Sequence, residues 1–381
     1  MTKLKTKKAF CLYLVIFAFC TLFSATSNDY PSNYHDKNTG TLENPYLISN
    51  LANLRWLSET EDIWGGLKQK KYFFIQTADI DASETVYWNN GEGFRPIGSR
   101  KHHNTDEGLV MSAFYGNYNG NNFSINNLYI RHNTDHFHAE MQGFLGMSVG
   151  LFGATINSTI ENVRLENVNI YGYGETSAIV GYAENSLIRN CSSTGRLSGF
   201  FAIGLGGLVG IAVNTQIINS FSEVNISIEN AASVGGLVGI LWDRSSIKNS
   251  YFLGEISTNS SDSGGIVGIG GIIVPIFDKK ETVSTIENVY VSGSSKFVCS
   301  FGLVGRIVNV DIKDSFWDEE STGIKEPFLR SQNNKIKTMT GLTTAKMKKK
   351  STYKNWDFKT IWDIHPEKNN GFPFLRCFDN F

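Results

Sequence analysis

A tetrapeptide ending in glycine recurs six times through the middle of this 381-residue chain, and its spacing constrains the fold more than any other feature. Gly150-Leu151-Phe152-Gly153, Ala178-Ile179-Val180-Gly181, Gly207-Leu208-Val209-Gly210, Gly236-Leu237-Val238-Gly239, Gly265-Ile266-Val267-Gly268 and Gly302-Leu303-Val304-Gly305 form the series. Their last glycines lie 28, 29, 29, 29 and 37 residues apart. A fixed period of this size marks a repeat architecture, in which each unit is one supersecondary element stacked on the next.

A second landmark follows each tetrapeptide. Ile160-Glu161-Asn162, Ile188-Arg189-Asn190, Ile217-Ile218-Asn219, Ile247-Lys248-Asn249, Ile286-Glu287-Asn288 and Ile312-Lys313-Asp314 keep the register, so the long step is an insertion around Ile272 to Glu281. A weaker third landmark reads Gly195-Arg196-Leu197-Ser198 and Gly254-Glu255-Ile256-Ser257. Each unit offers about three short runs of β-branched or apolar residues separated by Gly, Asn and Ser, which reads as strand and turn rather than helix. A unit this short has no second layer of its own and buries its apolar face only by winding into a coil and stacking. The expected fold is therefore all-β: a right-handed parallel β-solenoid, or β-helix, of about six coils of 28 to 37 residues, with N-terminal and C-terminal capping segments.

Stacking assigns roles to the landmarks. The six isoleucines form an interior ladder, each worth roughly 1.5–3 kcal/mol by burial. Asn162, Asn190, Asn219, Asn249, Asn288 and finally Asp314 fall at one corner, where an amide can bond the backbone and the next amide. Gly153, Gly181, Gly210, Gly239, Gly268 and Gly305 permit positive φ or close approach of neighbouring coils.

The chain begins with four lysines before Ala9, then runs uncharged to Phe23 and on into Ser24-Ala25-Thr26-Ser27. A basic start, an apolar run shorter than the ~20 residues that span a bilayer, and small residues after it predict a signal peptide over residues 1–27. A lipid anchor at Cys20 is the alternative, opposed by Phe19 where such a site needs a small residue. Loss of that segment leaves 31 basic against 36 acidic residues, a net charge of about −5. No basic stripe of the kind nucleic acid requires is present. Lys346 to Lys350 reads as a solvated surface cluster. The three remaining cysteines, Cys191, Cys299 and Cys377, are odd in number and cannot close a disulfide framework. No membrane span is expected in the mature chain.

The chain divides into residues 1–27 as signal peptide, 28–140 as an N-terminal leader and cap with a short helix and first irregular coils, 141–322 as the repeats, and 323–381 as a closing segment. A solenoid's unpaired end strands need covering. At the N-terminal end, Leu51, Leu54 and Leu57 predict a short helix over 49–58 behind a capping Ser49 or Asn50. At the other end Trp356, Phe358, Trp362, Phe372 and Phe374 supply apolar area.

The Gly-Leu-Val-Gly and Ile-x-Asn-Ser signatures resemble the GLUG repeat of bacterial surface proteins, which also occurs beside the catalytic domains of some immunoglobulin A-cleaving peptidases. The likeness extends to Asn44-Pro45-Tyr46-Leu47-Ile48, Ala78-Asp79-Ile80-Asp81, Arg95-Pro96-Ile97-Gly98 and Phe114-Tyr115-Gly116-Asn117 before the repeats. It continues in Ser315-Phe316-Trp317-Asp318, Met339-Thr340-Gly341-Leu342 and Gly371-Phe372-Pro373-Phe374-Leu375 after them. The resemblance implies architecture and an exported, adhesin-like protein that binds protein or glycan, secreted or at the cell surface, with a periplasmic location left open. It carries over no catalytic residues.

β-Helices also include polysaccharide lyases and glycosidases, which makes a polysaccharide-degrading enzyme the alternative, and a structural component of the envelope is a third possibility. The residues beside each asparagine, Glu161, Arg189, Ile218, Lys248, Glu287 and Lys313, mostly alternate in sign and read as stacked ion pairs. Asp79 and Asp81 share one strand face, as a paired acid or calcium site needs, but read as structural. His132, His136 and His138 with Asp135 and Glu140 are the densest group of possible metal ligands and read as an exposed loop. No HExxH occurs. Phe221, Tyr251, Tyr290 and Phe316, two residues beyond the asparagines, read as a packed aromatic column rather than a sugar platform. The expectation is thus a protein with no catalytic, cofactor or metal residues.

Overall fold

The computed structural model describes residues 29–379, apart from 67–69, 106–107, 133–147, 260–262, 265–266, 272–281, 296–299, 329 and 333–334. The expected signal peptide, the insertion around Ile272 to Glu281, Cys299, and His136 and His138 with Asp135 and Glu140 lie outside the described residues.

The chain winds as a parallel β-solenoid of about eight turns. Among the described residues a parallel sheet of 24 strands runs from the leader to the closing segment, and a second of seven strands runs beside it from Phe152 onward. The interior ladder sets the register of the larger sheet. Ile160 lies opposite Ile188, Ile188 opposite Ile217, Ile217 opposite Ile247, Ile247 opposite Ile286, and Ile286 opposite Ile312. All six isoleucines are fully buried. Ile247 meets Ile286 directly, so the longer repeat rejoins the stack without slipping its register.

The count of about eight turns exceeds the six expected for the repeats, because the irregular coils expected in the leader stack in register with them and the closing segment adds a rung. Before Ile160 the ladder continues as Tyr118, Phe74 and Tyr46, each in the same column. Aromatic rings fill the interior there in place of isoleucine, and Phe74 and Tyr118 are as deeply buried as the residues they replace. After Ile312 the column ends, among the described residues, at Ile336, which no further described strand covers and which is 37% exposed.

The tetrapeptides build the seven-stranded sheet. Phe152, Val180, Val209, Val238, Val267 and Val304 stack in register and point inward. The glycine after each lets neighbouring backbones approach. A Cβ on Gly210 would stand 2.5 Å from the Gly181 carbonyl oxygen, and one on Gly239 would stand 2.6 Å from that of Gly210. Both distances are shorter than real Cβ contacts, so close approach makes glycine the residue that fits.

Turning the corners requires left-handed backbone, which asparagine tolerates better than other side-chain-bearing residues. Asn162, Asn190, Asn219, Asn249 and Asn288 have φ between 49° and 54°, and Asp314 has φ 47°. A second corner, three residues before four of the six isoleucines, uses Asn157, Asn185, Asn214 and Asn309 with φ of 45–54°.

The N-terminal end is covered by helix α1, Leu51–Glu59. Asn50 caps it, its Oδ1 accepting from the Asn53 N–H at 2.9 Å, and Leu54, Trp56 and Leu57 face the core. The closing segment behaves differently from a plug. Arg330–Gln332, Lys335–Ile336 and Met339–Leu342 add a last rung. Residues 343–379 then turn back along the flank, where Met347, Tyr353, Trp356, Trp362, Phe372 and Leu375 bury Tyr251, Tyr290 and Phe316 in a second core.

Candidate functional site

Side-chain ladders hold the first corner together. Asn190 donates to Asn162 Oδ1 at 3.0 Å, Asn219 to Asn190 at 3.4 Å, Asn249 to Asn219 at 3.2 Å and Asn288 to Asn249 at 3.2 Å. Asn162 extends the file by donating to Asn119 of the leader at 3.0 Å. Asp314 occupies the next rung, where Asn355 donates to its Oδ1 at 2.9 Å. At the second corner Asn214 donates to Asn185 at 2.7 Å. Hydroxyl columns run beside both. Thr215 Oγ1 accepts from Ser186 N–H at 3.2 Å and Ser245 Oγ from Thr215 N–H at 3.0 Å, while Ser220 Oγ accepts from Cys191 N–H at 3.0 Å. Of the glycines singled out in the sequence, Gly153, Gly181, Gly210, Gly239, Gly268 and Gly305 all lie in strands of the seven-stranded sheet.

The exposed residues beside the asparagines neutralise one another. Arg189 pairs with Glu161 at 2.5 Å, and Glu287 takes Lys248 at 3.3 Å on one side and Lys313 at 3.1 Å on the other. Partial burial pushes the Glu287 carboxyl up, but the two ammonium groups outweigh it and hold it below the usual range. Each exposed pair contributes ~0.2–1 kcal/mol.

The carboxylates of the leader are likewise engaged. Asp79 accepts from the Ser124 N–H at 2.7 Å and its hydroxyl at 3.0 Å, and these bonds lower its pKa. Asp81 accepts from the Asn127 amide at 3.1 Å and from Ser83. Among the described residues no three His, Cys, Asp or Glu side chains gather to hold a metal. His132 lines a groove of about 370 Å³ with Trp64, Phe94, Arg95 and Arg131.

One buried ion pair had no sequence signal. Arg100 meets Glu175 at 2.5 Å and lies over the Tyr182 ring at 4.1 Å. Ser148 donates to the other Glu175 oxygen at 2.8 Å. Burial raises the Glu175 carboxyl against the pull of Arg100 and Ser148. Both carboxylate oxygens are occupied, so the pair pins the leader to the repeats. Arg100 belongs to irregular sequence, and nothing in its spacing marks a partner 75 residues away.

The aromatic column is packed. Phe221 and Tyr251 stack with centroids 4.8 Å apart and planes 2° from parallel, and Tyr251 and Tyr290 stack at 5.0 Å. Tyr290 donates to the Pro373 carbonyl at 2.7 Å, tying the column to the closing segment. At its Phe221 end the two surfaces part around a cleft of about 580 Å³, lined by Phe221, Glu223, Tyr251, Lys368, Phe374 and Phe378. A second concavity of about 830 Å³ beside α1 holds Arg55, Glu59, Glu84, Tyr87 and Trp88. There Arg55 pairs with Glu59 at 2.8 Å and covers Trp88 at 4.8 Å. Among the described residues no helix is long and apolar enough to cross a membrane.

No protein-family model matches the chain. It is 30% identical over 168 residues to halomucin of Haloquadratum walsbyi, a stretch covering 44% of this chain and 2% of halomucin. Among solved structures it resembles a Bacteroides ovatus protein provisionally described as an immunoglobulin A1 protease. The TM-score is 0.58 and the identity 16%, over 89% of this chain and 94% of that one. A structure described as an IgA1 protease aligns with TM-score 0.48 and 18% identity over 78% of this chain and 21% of that one. At such identity the Bacteroides likeness is one of fold, and the fold shared is the parallel β-solenoid.

Proposed function

We propose that this chain is an exported, non-enzymatic surface or secreted protein that binds a protein or glycan, in the manner of an adhesin. The observation that carries the reading is how the polar side chains along the stack are used. The asparagine file, the hydroxyl columns and the Glu161, Arg189, Lys248, Glu287 and Lys313 series are spent on one another across rungs. Such a stack is a rigid display surface, as solenoids commonly are. The GLUG-like repeats support a surface location, as does the similarity to a short stretch of the much longer halomucin. The basic and apolar start of the chain supports export.

Arrays of glycans and extracellular matrix proteins test the reading directly, with saturable binding to at least one class expected. Incubation with a polysaccharide panel and with immunoglobulin A1 tests the opposite. Release of reducing ends, unsaturated sugars or immunoglobulin fragments would make the chain an enzyme and overturn the proposal.

A further inference from the structure

We propose that the cleft between the solenoid flank and the closing segment binds an alkylammonium group, such as a lysine side chain of a protein partner, with Glu223 as its counter-ion and Phe221 and Phe378 as its walls, Tyr251 backing Phe221 from the core. The inference rests on the binding reading above and names the chemistry of the partner.

The rungs place these groups together. Phe221 and Glu223 lie two apart on the strand Phe221–Ala231, so both face outward, and Tyr251 is the register partner of Phe221 on the next rung. The closing segment supplies the opposite wall, with Phe378 edge-on to Phe221 at 4.8 Å. The carboxyl of half-buried Glu223 has no hydrogen bond or ion pair among the described residues, and burial alone raises it. The cation among the cleft's lining residues, Lys368, is taken by Asp379 and lies over the Phe374 ring at 5.5 Å. With Glu223, Glu367 and Asp379 against Lys368, the lining is net negative. A desolvated carboxylate without a cation is costly, and aromatic faces attract a cation by their quadrupole. An ammonium on an alkyl stem satisfies both, because its methylenes cover ring carbons while its charge meets the carboxylate.

The test is a titration of the full chain with N-acetyl-lysine methylamide and its trimethylated form, read by the methyl resonances of Leu253 and Leu375, which line the cleft. Saturable shifts with both are expected, weakened tenfold or more by Glu223→Gln and also weakened by Phe378→Ala. The uncharged norleucine analogue should give none. The titration is independent of any array, so this site and the general binding reading can fail separately. Absence of saturable shifts, equal shifts from the uncharged analogue, or undiminished binding in Glu223→Gln would each overturn the proposal. So would shifts produced by a neutral oligosaccharide and not by the amines.

Discussion

Asn288 gives its amide hydrogen to Asn249 at 3.2 Å, but its own buried Oδ1 receives nothing, because the next rung carries Asp314, a carboxylate with no amide to offer. The file of asparagines thus ends with one acceptor following another. Asp314 Oδ2 is buried and also lacks a hydrogen-bond donor, with the Lys313 ammonium 3.7 Å away.

Replacing Asp314 by Asn is therefore expected to stabilise the protein. The new amide nitrogen can donate to Asn288 while the retained oxygen still accepts from Asn355. Relieving an unsatisfied buried acceptor is worth about 1–3 kcal/mol. Thermal melting should move upward, and a lower melting temperature would contradict this account of the corner.

Asn219 separates two contributions at the middle of the file. Asn219→Ala removes both its ladder bonds and the side chain suited to φ 51°, and should cost about 2 kcal/mol or more. Asn219→Gly restores the backbone freedom but not the bonds, so its loss should be smaller. Chemical denaturation of the two variants checks the order, and equal losses would mean that backbone strain is no part of the cost.

Tyr251→Ala should behave as a core truncation. The ring is 3% exposed and packed between Phe221 and Tyr290, so the loss is expected to fall in the range of about 3–5 kcal/mol seen for large aromatic truncations. Full stability with altered ligand binding would contradict the packing role.

Acid stability should carry the mark of Asp79. Its backbone and hydroxyl bonds to Ser124 lower its folded pKa, so its contribution is present above the unfolded value near 4 and is lost as pH falls through the folded value. Asp79→Asn should flatten the acid limb of the stability curve. Glu223 has the opposite sign: its raised folded pKa disfavours the charged form, and that contribution is lost as pH rises through it. Glu223→Gln should therefore be at least as stable as the parent at neutral pH. Urea midpoints measured from pH 3 to 8 check both signs.

The repeats were legible because identical residue types recur at nearly constant spacing, and the isoleucine column follows directly from that period. Irregular coils were expected in the leader, but the residues that continue the column there were not legible, because Phe74 and Tyr118 hold their rungs with a different side chain at irregular intervals. The second asparagine corner did leave a signal, since Asn157, Asn185 and Asn214 each stand three residues before a ladder isoleucine. The hydroxyl columns were harder to see. Cys191 occupies one of them, donating through Sγ to the Arg189 carbonyl much as Ser220 does to Ile218. The course of the closing segment had no local cue. Its docking depends on distant pairs such as Tyr290 with Pro373 and Trp356 with Asp314, and it is these that create the Glu223 cleft.

Spin labels on cysteines replacing Glu161 and Lys313, with the native cysteines changed to serine, measure the stacking most directly. Five rung steps of about 4.8 Å separate the two positions, which places the backbones about 24 Å apart. A single narrow distance distribution near that value, broadened only by the label arms, is the predicted result. A broad distribution, or one centred beyond about twice that distance, would contradict the stacked solenoid on which the proposed binding surface is built.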